Sequence, residues 1–356
     1  MAYSTISKPS LHFNTKLYIG NGSTQHSITG VGFQPDWTWI KSRDDSYNHF
    51  VFDAVRGVGK QIYPNQNNAE ATNMNNLYSF DTDGFSLAQS GNDDVTNKNN
   101  SNFASWNWKA NGSGSANTDG SINSTVSANT TAGFSIVSYT GNGTSGATIG
   151  HGLGAVPKMI IIKQYSSNGG SENWGVYHHS LGNGKFLFLN INNSEMTSTG
   201  YWNNTTPTSS VFTLGNNDVV NNNTVSYIAY CFAEKTGYSK FGSYASNNTS
   251  GDGPFVYTGF APALVITKIS STGGSHWRIF DNKRESYNGD RQYLQPDQAG
   301  TESNNDPSQM DLLSNGFKLR GAEGDSNYNT ETVIYIAFAE EPLVANVGQS
   351  IPATAR

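Results

Sequence analysis

The amino-acid sequence predicts an all-β fold made of three tandem antiparallel β-sandwich domains, of jelly-roll or lectin-like type. Apolar segments of four to seven residues, rich in Val, Ile, Phe, Tyr and Trp, alternate with clusters of Asn, Gly, Asp and Ser, a pattern typical of strands joined by turns. The same series of segments also occurs three times along the 356 residues. Pro35, Pro157 and Pro262, which mark the three copies, lie roughly 105–120 residues apart, which is the size of one β-sandwich.

The clearest repeated motif is a Gly, a Pro three residues later, and an apolar strand that ends in a Lys six residues after the Pro. It occurs at 32–41, 154–163 and 259–268. Three further segments follow it in the same order in every copy, so chance similarity is a poor explanation. They are an aromatic-rich strand (50–53, 174–177, 277–281), a Phe-x-Leu strand (84–87, 211–214, 316–319) and a closing strand (104–109, 228–234, 334–340).

These repeats predict the domain organisation. The expected divisions are a first sandwich at 1–115, a linker at 116–130, a second sandwich at 131–243, a third at 244–342 and a C-terminal tail at 343–356. The linker is the most flexible join that we expect, because it is rich in Asn, Ser and Thr and has only Ile122 and Val126 as potential core residues. Units of this length are long enough for each to bury its own core.

Composition excludes several classes of protein. A net charge of −6 gives no broad basic surface for nucleic acid. A single cysteine, Cys231, excludes a disulfide framework and a Cys-based zinc site. No apolar run approaches the roughly 18 residues of a membrane span, so we expect no membrane insertion. The N-terminal residues have no apolar segment of the kind found in a secretory signal.

Several segments resemble the repeated β-sandwich domains of marine bacteriophage proteins. They are the Gly-x-x-Pro-apolar-Lys motif, the Phe-x-Leu strand, the closing strand at 227–234, the segments 132–143 and 314–320, and the ending at 352–356. The resemblance covers nearly the whole chain. The first copy departs from it, because Trp106-Asn-Trp108-Lys109 stands where the other copies end in Ala-Glu. No catalytic residues carry over from this resemblance.

The resemblance implies a virion structural protein, located in the virion and made in the host cytoplasm. We expect a tail-fibre, spike or receptor-binding component that contacts a glycan or protein of the host surface. Other virion proteins and further copies of the same chain, as a homo-oligomer, are the expected partners. Two alternatives remain: a capsid decoration or head-fibre protein with a purely structural role, and a tailspike enzyme that degrades polysaccharide.

The residues themselves favour binding over catalysis. The acidic residues lie mostly in turn clusters, where capping of backbone N–H groups is their ordinary role. Carbohydrate sites combine an aromatic platform with side chains that bind hydroxyls. The loop with Tyr201, Trp202, Asn203 and Asn204 has no copy elsewhere in the chain, so we predict that Trp202 is an exposed platform.

No cofactor is expected, and calcium is the metal for which the sequence offers the most suitable ligands. Asp81 and Asp83 lie in one loop, and Asp93 and Asp94 lie in another. Carboxylate oxygens on loops are typical calcium ligands, although neither loop has the spacing of an EF-hand. The alternative for all four residues is turn capping.

Overall fold

A computed structural model of the chain describes residues 4–88, 95–285, 288, 292–304, 310–322 and 324–342. Within these ranges nearly all regular elements are strands, and the paired strands are antiparallel, which confirms the all-β prediction. In chain order the strands are β1 (Phe13–Ile19), β2 (His26–Thr29), β3 (Trp37–Ser42), β4 (Phe50–Asp53), β5 (Lys60–Gln61), β6 (Ala71–Thr72), β7 (Ser79–Asp81), β8 (Gly84–Leu87), β9 (Asn102–Trp108), β10 (Ser115–Asn117), β11 (Ser124–Asn129), β12 (Phe134–Thr140), β13 (Thr148–Gly150), β14 (Met159–Gln164), β15 (Gly175–His178), β16 (Lys185–Phe188), β17 (Met196–Thr197), β18 (Val211–Thr213), β19 (Ser226–Phe232), β20 (Ser239–Ala245), β21 (Phe255–Tyr257), β22 (Phe260–Ile269), β23 (Arg278–Asp281), β24 (Met310–Leu313), β25 (Gly316–Leu319) and β26 (Thr332–Pro342).

Helical structure in the described ranges is limited to single turns. These are α1 (Thr199–Trp202), α2 (Asp218–Asn221) and two 3₁₀ turns at Pro9–Leu11 and Ser167–Gly169. Within the same ranges, none of the helices has the length and apolar character needed to cross a membrane.

One strand order recurs three times. The strands β1-β9-β3-β4 form a four-stranded sheet, and β12-β19-β14-β15 and β20-β26-β22-β23 are hydrogen-bonded in the corresponding order. We call these the main sheets of the first, second and third units, which comprise β1–β9, β10–β19 and β20–β26. Each unit also has a smaller outer sheet: β2-β8-β7, β13-β18 and β21-β25-β24.

The main sheets are buried on both faces, because they contribute to two cores at once. In β19, Ile228, Tyr230 and Phe232 belong to a core shared by all three units, whereas the alternating residues Tyr227 and Cys231 belong to a core within the second unit. The first and third units have their own cores in the same way. The three units therefore pack around a common apolar centre, which the sequence analysis does not predict.

Aromatic rings fill this centre, and the tryptophans of the first copy are among them. Trp108 occupies the place in β9 that Phe338 occupies in β26, with its side chain in the shared core. The ring centroids of Trp37 and Trp108 lie 4.3 Å apart, and those of Trp37 and Tyr230, from the second unit, lie 4.6 Å apart. Trp106 and Trp108 are thus core residues, consistent with the bulk that a shared centre requires.

The expected flexible linker is a folded part of the second unit. Within 116–130, β11 pairs along its whole length with β12, and Val126 is buried in the core of the second unit. The prediction of flexibility is wrong because backbone hydrogen bonds, which composition does not report, hold this polar segment at the sheet edge. The boundary at 243/244 likewise falls inside β20, which pairs with β26. The tail at 343–356 lies outside the described residues.

Candidate functional site

The lysine that ends the repeated motif is a structural residue in all three units. Lys41, Lys163 and Lys268 are fully buried. Each Nζ donates to two backbone carbonyls; for Lys163 these belong to Asn67 at 3.0 Å and Glu172 at 2.8 Å. Burial lowers the pKa of Lys41 and Lys268 to about 8 and that of Lys163 to about 7. These amines are therefore occupied in holding strand ends to loops.

One hydrogen bond closes each of the three interfaces between units. Its acceptor is the carbonyl of the residue two positions after the motif lysine, and its donor is the backbone N–H of a glutamate in another unit. The bonds run from Glu70 to Tyr165 (2.9 Å), from Glu195 to Ser270 (2.7 Å) and from Glu302 to Arg43 (2.8 Å). The units are thereby linked in a closed ring, first to second, second to third and third to first.

A second set of contacts joins the units at the ends of β4, β15 and β23. Asp53 accepts from the Tyr230 hydroxyl of the second unit at 2.8 Å. Asp281 accepts from the Trp106 indole of the first unit at 3.0 Å. His178 has the equivalent place in the second unit, with Nε2 3.3 Å from the Tyr335 carbonyl of the third, and burial lowers its pKa to about 3. These titratable groups serve the packing of the units.

The predicted carbohydrate platform is not at the surface. Trp202 is 2% exposed, and its indole donates to the Lys185 carbonyl at 3.0 Å. Tyr201 is 5% exposed and stacks on Phe186 with the ring centroids 3.5 Å apart. The prediction of exposure is wrong because α1, capped by the Ser198 hydroxyl, folds both rings back into the core of the second unit.

The two asparagines of that loop have turn geometry. Asn203 and Asn204 both have φ of 49°, in the left-handed region that asparagine tolerates better than most residues. The side-chain oxygen of Asn203 accepts from the Ser145 hydroxyl at 3.0 Å, while Asn204 is exposed. The four residues of the predicted site therefore do not form one binding surface.

The predicted calcium ligands are engaged within the first unit. The carboxylate of Asp83 accepts from the backbone N–H of Gly30 at 3.0 Å and of Gly32 at 2.7 Å. Asp81 accepts from the hydroxyls of Ser79 and Ser86. Asp83 thus caps backbone N–H groups, the role that the sequence analysis gives as the alternative, whereas Asp81 binds side-chain hydroxyls. Asp93 and Asp94 lie outside the described residues.

Neither Asp81 nor Asp83 belongs to a group of potential metal ligands among the described residues. Across the part of the chain that the structure describes, no group of three or more His, Cys, Asp or Glu residues is placed to hold a metal ion. Cys231 is buried, and burial raises the pKa of its thiol.

An exposed aromatic pair distinguishes the third unit from the other two. On β21, Phe255 is 47% exposed and Tyr257 is 53% exposed, while Val256 between them is buried. Strand pairing aligns this strand with β2 and β13, because Val256, Ile28 and Ile149 each lie opposite the Phe of a Phe-x-Leu strand. The aligned neighbours are Ser27 and Thr29 in the first unit, and Thr148 and Gly150 in the second.

Charged side chains border this pair. Lys318 lies opposite Phe255 on β25, and its Nζ is 2.7 Å from the carboxylate of Asp252. We call Phe255, Tyr257, Lys318 and Asp252 the outer aromatic face. The sequence analysis does not identify this face; comparison of aligned positions across the three copies was the signal that could have found it.

The fold and its contacts define a three-unit, internally repeated all-β protein. Residues 8–342 match a protein family described as a domain of unknown function (DUF7483), and the chain belongs to that family. No curated protein and no solved structure matches the chain.

Proposed function

We propose that the protein is a bacteriophage virion structural protein, a tail-fibre or spike component that binds a glycan of the host surface through the outer aromatic face. The observation that carries this proposal is the exposure of two aromatic rings in the third unit, where the other units have Ser, Thr or Gly. Burial of exposed aromatic surface is favourable in water, so a ligand that covers these rings gains a hydrophobic contribution to its binding free energy.

The chemistry of the face favours a sugar. Alternate residues of a strand point to the same side, so the rings of Phe255 and Tyr257 lie side by side on the sheet surface. The apolar face of a pyranose ring suits such a surface, and the charged groups of Lys318 and Asp252 are suited to its hydroxyls. The contacts that close the ring of units favour a rigid presentation, which reduces the entropic cost of binding.

A capsid decoration or head-fibre protein is the second candidate. The corresponding hydrogen bonds at the three unit interfaces favour it, since they give one chain an approximately threefold arrangement. Such a chain is suited to a threefold-symmetric partner in the particle. In both candidates the protein works by binding other virion proteins and copies of itself, and not by catalysis.

The test is the binding of labelled full-length protein to cells of the bacterium that the phage infects. The double variant Phe255→Ser/Tyr257→Thr introduces the residue types that the first unit has at the aligned positions. As a control, Ile19→Ser removes an exposed apolar side chain elsewhere. We expect saturable binding by wild type and control, and at least tenfold weaker binding by the double variant at an unchanged melting temperature. Equal binding by all three proteins would refute the proposed face. Immunogold labelling of the capsid alone would favour the second candidate.

A further inference from the structure

A polar cleft of about 610 Å³ opens on the second unit, beside α1 and α2. These two α-helical turns occur in the second unit and in no other described part of the chain. Glu172, Asn173, Tyr201, Asn217 and Asp218 contribute most of the hydrogen-bonding groups of its wall. The cleft belongs to a different unit from the outer aromatic face, and its role does not depend on that proposal.

Two carboxylates, those of Glu172 and Asp218, line the cleft. Neither Glu172 nor Asp218 forms a salt bridge with any residue that the structure describes. The nearby ammonium of Lys163 donates to the backbone carbonyl of Glu172. Burial, together with the charge of Asp218, raises the pKa of Glu172, and the charge of Lys163 opposes this rise only in part. The cleft is therefore electronegative and rich in hydrogen-bond acceptors.

A tyrosine from the core also lines this space. Tyr201 is 95% buried by its stacking in the core, yet it lines the cleft, and its hydroxyl hydrogen-bonds to no residue in the described ranges. Because the stacked ring is held in one position, its hydroxyl is available to an occupant of the cleft.

Two asparagines add amide groups to the wall of the cleft. The side-chain oxygen of Asn173 accepts from Asn190 at 2.7 Å, and that of Asn217 accepts from the Val219 N–H at 3.0 Å. With each oxygen used internally, the NH₂ groups are left to donate. Donors from the amides thus accompany acceptors from the carboxylates, with Phe188 as an apolar wall.

We propose that this cleft binds a saccharide that carries no acidic group. Sugar hydroxyls both donate and accept, so they match carboxylates, amides and a phenol in one site. The two carboxylates repel sulfated, phosphorylated or uronic-acid sugars and admit neutral or amino-substituted ones.

The test is a glycan array of neutral, amino-substituted and acidic bacterial oligosaccharides, probed with the full-length protein. The oligosaccharide that gives the strongest signal is then titrated into the protein by calorimetry. Tyr201→Phe keeps the stacked ring and removes only the hydroxyl, and Asp218→Asn keeps the size of the side chain and removes its charge. We expect binding to non-acidic spots, weakened at least tenfold by either variant at an unchanged melting temperature.

The Phe255→Ser/Tyr257→Thr variant separates the two sites, because it leaves binding by the cleft intact. Binding to acidic spots alone, no binding to any spot, or binding that both cleft variants retain would overturn the assignment. If the Phe255→Ser/Tyr257→Thr variant loses binding and the cleft variants bind fully, the cleft is not the saccharide site. That result would support the outer aromatic face as the site.

Discussion

Buried lysine at the end of the repeated motif is the residue-scale feature that most clearly ties sequence to structure. The strand before it is buried on both faces, so the lysine side chain at its end lies inside the protein. Its ammonium group has three donors, and in Lys163 two of them bind the backbone carbonyls of Asn67 and Glu172 in nearby loops. The cost is a desolvated charge, which appears as the lowered pKa.

This cost makes stability depend on pH. The pKa of Lys163 is about 7 in the folded protein and near 10.5 in the unfolded chain, so the unfolded chain binds more protons between these values. The free energy of unfolding therefore rises with pH in this window. We expect wild type to gain on the order of 2 kcal/mol more than Lys163→Met between pH 7 and pH 9.

Urea denaturation at the two pH values measures this difference. Lys109→Met, at an exposed position, is the control and should keep the wild-type dependence. If Lys163→Met gains as much stability as wild type between the two pH values, the pH dependence of stability does not come from Lys163.

Trp202 gives a second residue-scale prediction, because its burial makes it a probe of stability. Trp202→Ala removes a large side chain from the core of the second unit and should lower the free energy of unfolding by about 3–5 kcal/mol. Ser209→Ala, at an exposed position, should change it by less than about 0.5 kcal/mol. Thermal or urea unfolding distinguishes these outcomes, and a Trp202→Ala variant as stable as wild type would contradict the buried position.

At the scale of elements, strands were predictable but their second buried face was not. Alternation of apolar and polar residues predicts the Phe-x-Leu strands correctly, since each has one face toward a core. The closing strand β19 is apolar at nearly every position, a pattern typical of a strand covered on both sides. That pattern indicates burial, but it does not say which element covers the second face, because the partner lies in another unit.

The two candidate sites were less predictable than the strands. The loop that contains Trp202 has no copy in the other repeats, and for this reason the sequence suggested a site there. The difference reflects α1, which packs the indole into the core of the second unit. The cleft depends on tertiary placement of Glu172 and Asp218, which are far apart in the sequence. No spacing rule links them, so only the folded chain brings them together.

Strand β11 provides a prediction that distinguishes a folded strand from a linker. Val126→Ala removes buried apolar surface and should lower the free energy of unfolding by about 1–2 kcal/mol. Thr125→Ala, the exposed neighbour in the same strand, should have a much smaller effect. Urea denaturation of both variants is the measurement, and an unaffected Val126→Ala variant would restore the linker interpretation.

At the scale of the whole molecule, the three units depend on one another. Each main sheet presents one face to the shared core, so a separated unit would expose aromatic and aliphatic side chains that are now buried. The glutamate N–H bonds and the contacts of Asp53 and Asp281 recur around the ring, so every unit is held by both of its neighbours. The repeat length predicted units that could fold alone, but the shared centre couples them.

Calorimetry of the full-length protein tests this coupling. A chain with one shared core should unfold in a single transition, with a calorimetric enthalpy close to the van't Hoff enthalpy. Tyr230→Phe removes the hydroxyl that links the second unit to Asp53, and this should cost about 1–2 kcal/mol. We expect the variant to shift the whole transition to lower temperature without splitting it. Two or three separate transitions in wild type, or a shift confined to one of them, would mean that the units unfold independently.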